Sequence, residues 1–385
     1  MLNSECRVQG VYLNSSARSW TAPPATSGGG REAAPATTPG GDPKAAASAA
    51  EGHPEAAATT PDGDPRAVHR ELPGFAPTPL IEVPDLAEEL GVRRVLVKDE
   101  HLRAGLPSFK ILGAAWAIFK GLGGTTSLED LKVDPDTTLV SATAGNHGRA
   151  VAYMAKLLGL KAHIFIPAGT APARIEAIRS EGAKVEVVDG DYQKAVDRAT
   201  QRASEDPKAL LAADVGNSMT PIWATQGYRT ILHEIDEQLT EAPDLVVVPV
   251  GAGAFASAVV QHYRSDGAHP QILTVEPDSA ACLLKSLQAG EPVNVPGPHP
   301  SKMAGLNAGD VDAHAWPYLK NGVDAAVTVT DEETDQAMRD LADKDIVAGE
   351  CGAASLAGVR AFREHLTADS VVVLISTEGT HEINR

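Results

Sequence analysis

From about Leu72 onward, short apolar runs recur along the chain at Val95–Lys98, Thr138–Ala142, His163–Pro167, Val185–Asp189, Leu210–Asp214, Leu245–Val250, Ile272–Glu276, Ala326–Val329 and Val371–Ser376. Most are continuous rather than alternating, the pattern of parallel strands covered on both faces. Between them lie stretches with helical periodicity: Ala114–Leu122, Gly148–Leu158, Pro172–Glu181, Tyr192–Ser204, Trp223–Gln238 and Gly352–His365. Strand and helix in alternation predict an α/β protein with mostly parallel sheets and right-handed crossovers. In such folds ligands sit at the carboxyl ends of strands, where loops enter helix N-termini, so the chemistry is expected there.

The rhythm is absent from the N-terminal stretch. Residues Thr21 to Pro65 contain no Val, Ile, Leu, Met, Cys or aromatic residue, and 36 of the 45 are Ala, Pro, Gly, Ser or Thr. Such a segment has almost nothing to bury against an ordering cost of about 1–2 kcal/mol per residue, which predicts a disordered arm. The near-repeat of Thr37–Pro43 at Thr59–Pro65 is low-complexity sequence, not a structural repeat. The first twenty residues lack the apolar core of a signal peptide, and their Ser- and Arg-bearing, acid-poor composition resembles a transit peptide only weakly.

Charge narrows the partners. The chain carries 33 Lys and Arg against 51 Asp and Glu, a formal charge of −18, of which residues 1–65 hold −3 and the other 320 hold −15. Nucleic acid and anionic membrane surfaces need clustered positive charge, so both are disfavoured. No apolar run reaches the roughly 20 residues of a membrane span. Three cysteines, Cys6, Cys282 and Cys351, cannot build a disulfide framework and point to a reducing, cytoplasmic compartment.

Four strand–helix junctions carry unusual residues. At Ser108-Phe109-Lys110-Ile111, Lys110 opens an apolar helix with no acidic residue within a turn on either side. Desolvation there would lower its pKa and make a usable amine for a Schiff base or proton transfer, the plainer alternative being a surface lysine. Ser141-Ala142-Thr143-Ala144-Gly145-Asn146-His147-Gly148 follows a strand. Its small residues and the next helix N-terminus make a carboxylate nest, or simply a capped turn. His147 reads more readily as a structural first-turn residue. Val250-Gly251-Ala252-Gly253-Ala254-Phe255-Ala256 suits a phosphate against backbone N–H groups. It is also a formal G-x-G-x-x-A match with Glu276 twenty residues beyond, the elements of a dinucleotide site. Last, Ile375-Ser376-Thr377-Glu378-Gly379 places hydroxyls at the end of the final strand.

In this order the four junctions resemble the fold-type II pyridoxal-phosphate enzymes, the tryptophan synthase β-like superfamily, and within it the diaminopropionate ammonia-lyases. The runs that carry the likeness are Pro73-Gly74-Phe75-Ala76-Pro77-Thr78-Pro79-Leu80, Lys98-Asp99-Glu100, Phe109-Lys110-Ile111-Leu112-Gly113 and Gly145-Asn146-His147-Gly148-Arg149. Further along stand Thr274-Val275-Glu276-Pro277-Asp278, Met303-Ala304-Gly305-Leu306, Gly349-Glu350-Cys351-Gly352-Ala353 and the final Ser-Thr-Glu-Gly. The likeness covers about residues 70–381. It implies two lobes behind the 1–65 arm: 66–135 with 206–385 as a larger, cofactor-binding lobe, and 136–205 as a smaller one carrying the Gly-Asn-His loop.

The resemblance also implies roles. Pyridoxal 5′-phosphate would be held covalently by Lys110, which then takes the Cα proton of an amino-acid substrate. Asn146 would meet the ring hydroxyl, Gly251, Ala252, Gly253, Ala254 and Phe255 the phosphate, and Thr377, or Ser376, the pyridine nitrogen. Thr143, Ala144, Gly145, Asn146 and His147 would hold the substrate carboxylate, and Asp214 would manage a proton at the β-position. The implied reaction is β-elimination of ammonia from 2,3-diaminopropionate, giving a 2-oxo acid and ammonia, with a homodimer as the assembly and no metal. Ala144 stands where these lyases carry an aspartate associated with the D-isomer, and Val215-Gly216-Asn217-Ser218-Met219-Thr220 lacks their aromatic and acidic residues, so substrate contacts should differ. Serine or threonine dehydration and β-replacement remain alternatives within the class. An NAD-dependent oxidoreductase and a catalytically silent relative are the alternatives outside it.

Overall fold

The computed structural model describes residues 11–14, 17–23, 63–143, 145–216, 218–265 and 270–380. In chain order its strands are β1 (Tyr12–Leu13), β2 (Leu80–Glu82), β3 (Arg94–Asp99), β4 (Thr138–Ala142), β5 (Lys161–Pro167), β6 (Lys184–Val188), β7 (Ala209–Leu211), β8 (Leu245–Pro249), β9 (Gln271–Pro277), β10 (Ala325–Val329) and β11 (Val371–Ser376). They form two sheets. The larger runs β1–β10–β9–β8–β11–β3–β2 and the smaller β6–β5–β4–β7. Every pairing is parallel except at the two edges of the large sheet, where β1 joins β10 and β2 joins β3 antiparallel.

The continuous apolar strands have the predicted consequence. Val246 and Val248 of β8, with Val373 and Ile375 of β11, bury into a core on one face of the large sheet. Their alternates Leu245, Val247, Val372 and Leu374 bury into a second core on the other. The first core is roofed by helices Met219–Gln238 and Ala254–Tyr263, the second by Glu350–Ala361 and Asp331–Ala342. Helix Lys110–Gly121 joins the sheets. It gives Leu112 and Ala117 to the first large-sheet core, and Ile111, Ala114, Ala115 and Ile118 to the core of the small sheet.

A buried ion network anchors this arrangement. The fully buried Lys98 on β3 donates to Glu234 of helix Met219–Gln238 at 2.7 Å. Arg103, also fully buried, donates to both Glu234 oxygens at 2.7 Å and to Glu100 at 2.6 and 2.8 Å. Each charge has its partner, the condition under which ions are tolerated inside a protein. The Lys98-Asp99-Glu100 run is thus a structural clamp beneath the site.

Five expectations change. The arm does not extend from 1 to 65 throughout: residues 24–62 lie outside the described residues, but Tyr12–Leu13 pairs with Ala325–Ala326 and Trp20 packs edge-on to Tyr318. The apolar side chains of Val11, Tyr12, Ala17 and Trp20 were enough to dock that stretch. The described residues resume at Gly63, and Asp64 caps a short helix, Pro65–His69, ahead of the Leu72 start. The strand expected at Leu210–Asp214 ends at Leu211 because only Ala209–Leu211 pair with Thr138–Val140. That pairing also puts β7 in the small sheet, although the expected division gave residues from 206 to the larger lobe. Finally, helix Met219–Gln238 begins ahead of Pro221, since proline is tolerated in a helix's first turn.

Candidate active site

Lys110 is the first residue of its helix and its side chain is about one-quarter exposed. Its Nζ donates to Asp214 Oδ2 at 2.7 Å and lies 5.4 Å from the Phe109 ring centroid and 5.7 Å from that of Tyr228. The sequence offered no nearby acid, yet the fold brings one from 104 residues away. Burial alone would lower the amine's pKa, but the Asp214 carboxylate outweighs it and raises it above the ordinary lysine range. This corrects the expectation of a lowered pKa. Burial likewise works against the Asp214 carboxylate, and Lys110 and His147 overcome it to hold the group at about 2. The pair is an ammonium facing a carboxylate.

Asp214 sits in the loop after β7, with its second oxygen 3.4 Å from the Tyr228 hydroxyl and 3.7 Å from His147 Nδ1. His147 donates from Nε2 to the Ala212 carbonyl at 3.0 Å and is buried. Its side chain thereby braces the Asp214 loop. Tyr228 was not singled out from sequence. The one signal for it is Gly113, where a Cβ would lie 2.4 Å from the tyrosine ring, so the glycine makes room for it.

The Gly-Asn-His loop follows β4. Thr143 is buried and its hydroxyl accepts from Gly145 N at 3.1 Å. A Cβ on Gly148 would meet the Thr143 methyl at 2.1 Å, so only glycine lets the helix Asn146–Leu157 start this close beneath it. Ala144 lies outside the described residues. Asn146 donates one amide hydrogen to Glu378 Oε2, which leaves its second N–H and its carbonyl oxygen. The other Glu378 oxygen accepts from Cys351 N at 3.3 Å. Next to this loop opens a cavity of about 190 Å³ lined by Pro107, Gly145, Asn146, Arg149, Arg174 and Thr380, among others.

At the β8 end, Gly251, Ala252 and Gly253 lead into helix Ala254–Tyr263. Gly253 has φ +100°, a left-handed conformation that suits glycine, and no side chain caps the helix. A Cβ on Gly251 would lie 2.9 Å from the Gly305 carbonyl. The first-turn N–H groups, those of Ala254 and Phe255 included, have no intrahelical partners and are open to an anion. The Phe109 ring lies 4.6 Å from that of Phe255, and Phe109 N donates to the Thr377 carbonyl at 3.3 Å. Lys110, the glycine loop and the end of β11 therefore meet around one residue. On β11 the alternation continues: Ser376 is buried with its Oγ towards Gly352 on the second-core face, which puts Thr377 on the face shared by Phe109 and Phe255.

A lysine at a helix start, a glycine loop for a phosphate, a hydroxyl at a strand end and an amide on the facing loop fit pyridoxal phosphate. They do not fit a dinucleotide. Glu276, the acid that completed that pattern, is fully buried and accepts from Leu283 N and Leu284 N at 2.7 Å each, capping the helix Cys282–Ala289. Neither oxygen is accessible to a ribose.

Comparison with known proteins agrees. The model of the family described as "Pyridoxal-phosphate dependent enzyme" matches residues 72–378. The diaminopropionate ammonia-lyase of Escherichia coli (strain K12) is 36% identical over 348 residues, covering 82% of this chain and 87% of that protein. A crystal structure of the E. coli enzyme in complex with an aminoacrylate-PLP azomethine reaction intermediate superposes with a TM-score of 0.75 at 33% identity, covering 83% of this chain and 88% of the other. The biosynthetic L-threonine dehydratase of Mycobacterium leprae (strain TN) is 29% identical over 331 residues, 83% of this chain and 72% of its own.

Proposed function

This chain belongs to the pyridoxal-phosphate dependent enzyme family, and from that premise we propose that it removes ammonia from 2,3-diaminopropionate by β-elimination. Each substrate and one water would yield one 2-oxo acid and two ammonia, because the enamine left after loss of the β-amine hydrolyses in solution. The observation that carries the proposal is the 2.7 Å contact between Lys110 and Asp214 beside the glycine loop: two proton-handling groups where an α-amino acid's Cα and β-substituent would both be within reach.

The cofactor would be held by Lys110, by backbone N–H groups from Gly251 to Phe255, by Asn146 and by Thr377, which is favoured over Ser376 by the face on which it lies. When bound, it supplies the electron sink that makes a Cα proton removable. Thr143 to His147, with the helix end at Asn146, would hold the substrate carboxylate. Lys110 would accept the Cα proton. Asp214 would serve the leaving amine: its low pKa rests largely on the Lys110 charge, so while Lys110 is neutral burial favours a protonated carboxyl, which would pass its proton to the leaving amine once Lys110 has taken the Cα proton. No helix among the described residues is long and apolar enough to cross a membrane. The cytoplasmic setting is supported by Cys282 and Cys351, both buried free thiols. The homodimer belongs to the same proposal and is checked by sedimentation of the purified chain.

The test is to supply purified protein with L-2,3-diaminopropionate, L-serine and L-threonine in turn, and to measure ammonia and 2-oxo acid. Diaminopropionate should turn over fastest with two ammonia per oxo acid, and Lys110→Ala should abolish it. Faster turnover of serine or threonine, one ammonia per oxo acid, would move the substrate to the dehydratase side. No oxo acid from any of the three would remove elimination itself.

A further inference from the structure

On the outer layer of the large sheet, three ligand-type side chains come together that the chemistry above does not use. His233 and Asp236 stand three residues apart on helix Met219–Gln238, so they share a face. His262 is in the last turn of the neighbouring helix, Ala254–Tyr263. One donor atom from each, two imidazole nitrogens and a carboxylate oxygen, all lie within 4.8 Å of one another.

We propose that His233, Asp236 and His262 form a binding site for a divalent transition ion of the zinc class, which ties the two helices together. Two imidazoles and one carboxylate are a common zinc donor set, with further positions open to water. Ligand atoms at the usual bond lengths of about 2.0–2.2 Å stand roughly 3.0–3.5 Å apart around the ion. The widest separation, up to 4.8 Å, must therefore close by about 1.3–1.8 Å. The His262 Nε2 to Asp236 Oδ2 distance of 2.6 Å must open by less than that, and the Asp236 side chain, 44% exposed, is free to turn.

The plainer reading is a His262–Asp236 ion pair, which leaves His233 unexplained. The two imidazole rings meet edge to face with centroids 4.8 Å apart. His262 is nine-tenths buried, and its Nδ1 has no hydrogen-bond partner among the described residues. The positive charge of nearby Arg66 is offset by its pairs with Asp64 and Glu237 at 2.8 and 3.2 Å. The clipped helices are functional ones: one carries Tyr228 and follows the Asp214 loop, the other begins at the glycine loop. An ion here would stiffen the frame of the site without entering it.

The experiment titrates untagged, cofactor-loaded full-length protein with Zn²⁺ alone by isothermal calorimetry, alongside Asp236→Asn and His233→Gln. The expected result is one Zn²⁺ per chain, a raised thermal midpoint, and binding weakened about tenfold or more in each variant. Asp236 is exposed enough that its variant keeps the fold, which circular dichroism checks. Absence of saturable one-to-one binding in the wild type, or equal affinity in folded Asp236→Asn, would overturn the proposal.

Discussion

Asp214 works through both of its oxygens, one on Lys110 and the other near Tyr228 and His147. Asp214→Asn keeps the shape and removes the charge. Turnover of diaminopropionate should fall by about 10²- to 10⁴-fold, the usual range for a lost proton-transfer group, while the protein keeps the yellow colour of bound cofactor. Unchanged turnover would show that Asp214 only positions Lys110. His69 predicts a pH effect on stability. Its Nε2 donates to the Leu112 carbonyl at 2.9 Å and its Nδ1 accepts from the Thr230 hydroxyl at 2.8 Å, so the buried ring is neutral, and burial holds its pKa at about 3. The folded pKa lies below the unfolded value of about 6.5, so stability is present above pH 6.5 and is lost as pH falls towards 3. By pH 5 the loss from this group is about 2 kcal/mol. Denaturant unfolding of His69→Gln between pH 7 and pH 5 should show a correspondingly flatter pH dependence than wild type. At this scale Lys110, Asn146 and the glycine loop were legible because each sits at a strand–helix junction with an unusual composition. Tyr228 was not, since nothing local marks a tyrosine in mid-helix as facing a lysine 118 positions earlier.

Among elements, helix Lys110–Gly121 packs tightly on helix Met219–Gln238. A Cβ on Gly227 would lie 2.6 Å from the Leu112 carbonyl and 3.1 Å from Gly113 Cα, so the backbones touch where two glycines face each other. Gly227→Ala must push the helices apart. A stability loss of about 1–3 kcal/mol is expected from such overpacking. Because Lys110 begins one helix and the Asp214 loop feeds the other, turnover should fall as well. A variant with wild-type thermal midpoint and wild-type turnover would count against this contact as the spacer of the site. Element type was largely readable: eight of the nine expected strands lie within a residue or two of the observed ones at either end, because buried parallel strands leave long apolar runs. The exception was Leu210–Asp214, where apolar character continues to Ala213 but pairing stops at Leu211. The short edge strands β1 and β2 escaped notice because two or three residues carry no periodicity.

For the whole molecule, composition placed the border at residue 65 too late in the chain, because a short docked segment precedes the low-complexity stretch. Tyr12–Leu13 covers the β10 edge, and Trp20 sits against Gly322, where an added Cβ would be 3.2 Å from the indole. A chain starting at residue 24 should lose about 2–3 kcal/mol, the order expected from uncovering one large and a few small apolar side chains. It should nevertheless retain turnover per folded molecule, since no site residue lies in that segment. Thermal unfolding and ammonia release of the truncated chain check both halves of the expectation.

Two contacts described at the site share a property of the whole. Lys110 and Glu378 follow strands of the large sheet, while Asp214 and Asn146 follow strands of the small one. Lys110–Asp214 and Asn146–Glu378 therefore each bridge the two sheets. The first depends on the lysine's charge. Protonation of that amine and the separation of the sheets are then a single linked equilibrium: whatever discharges Lys110 loosens the bridge, and whatever spreads the sheets makes the amine easier to discharge. A ligand that reacts with that nitrogen therefore acts on one of the two contacts that join the sheets.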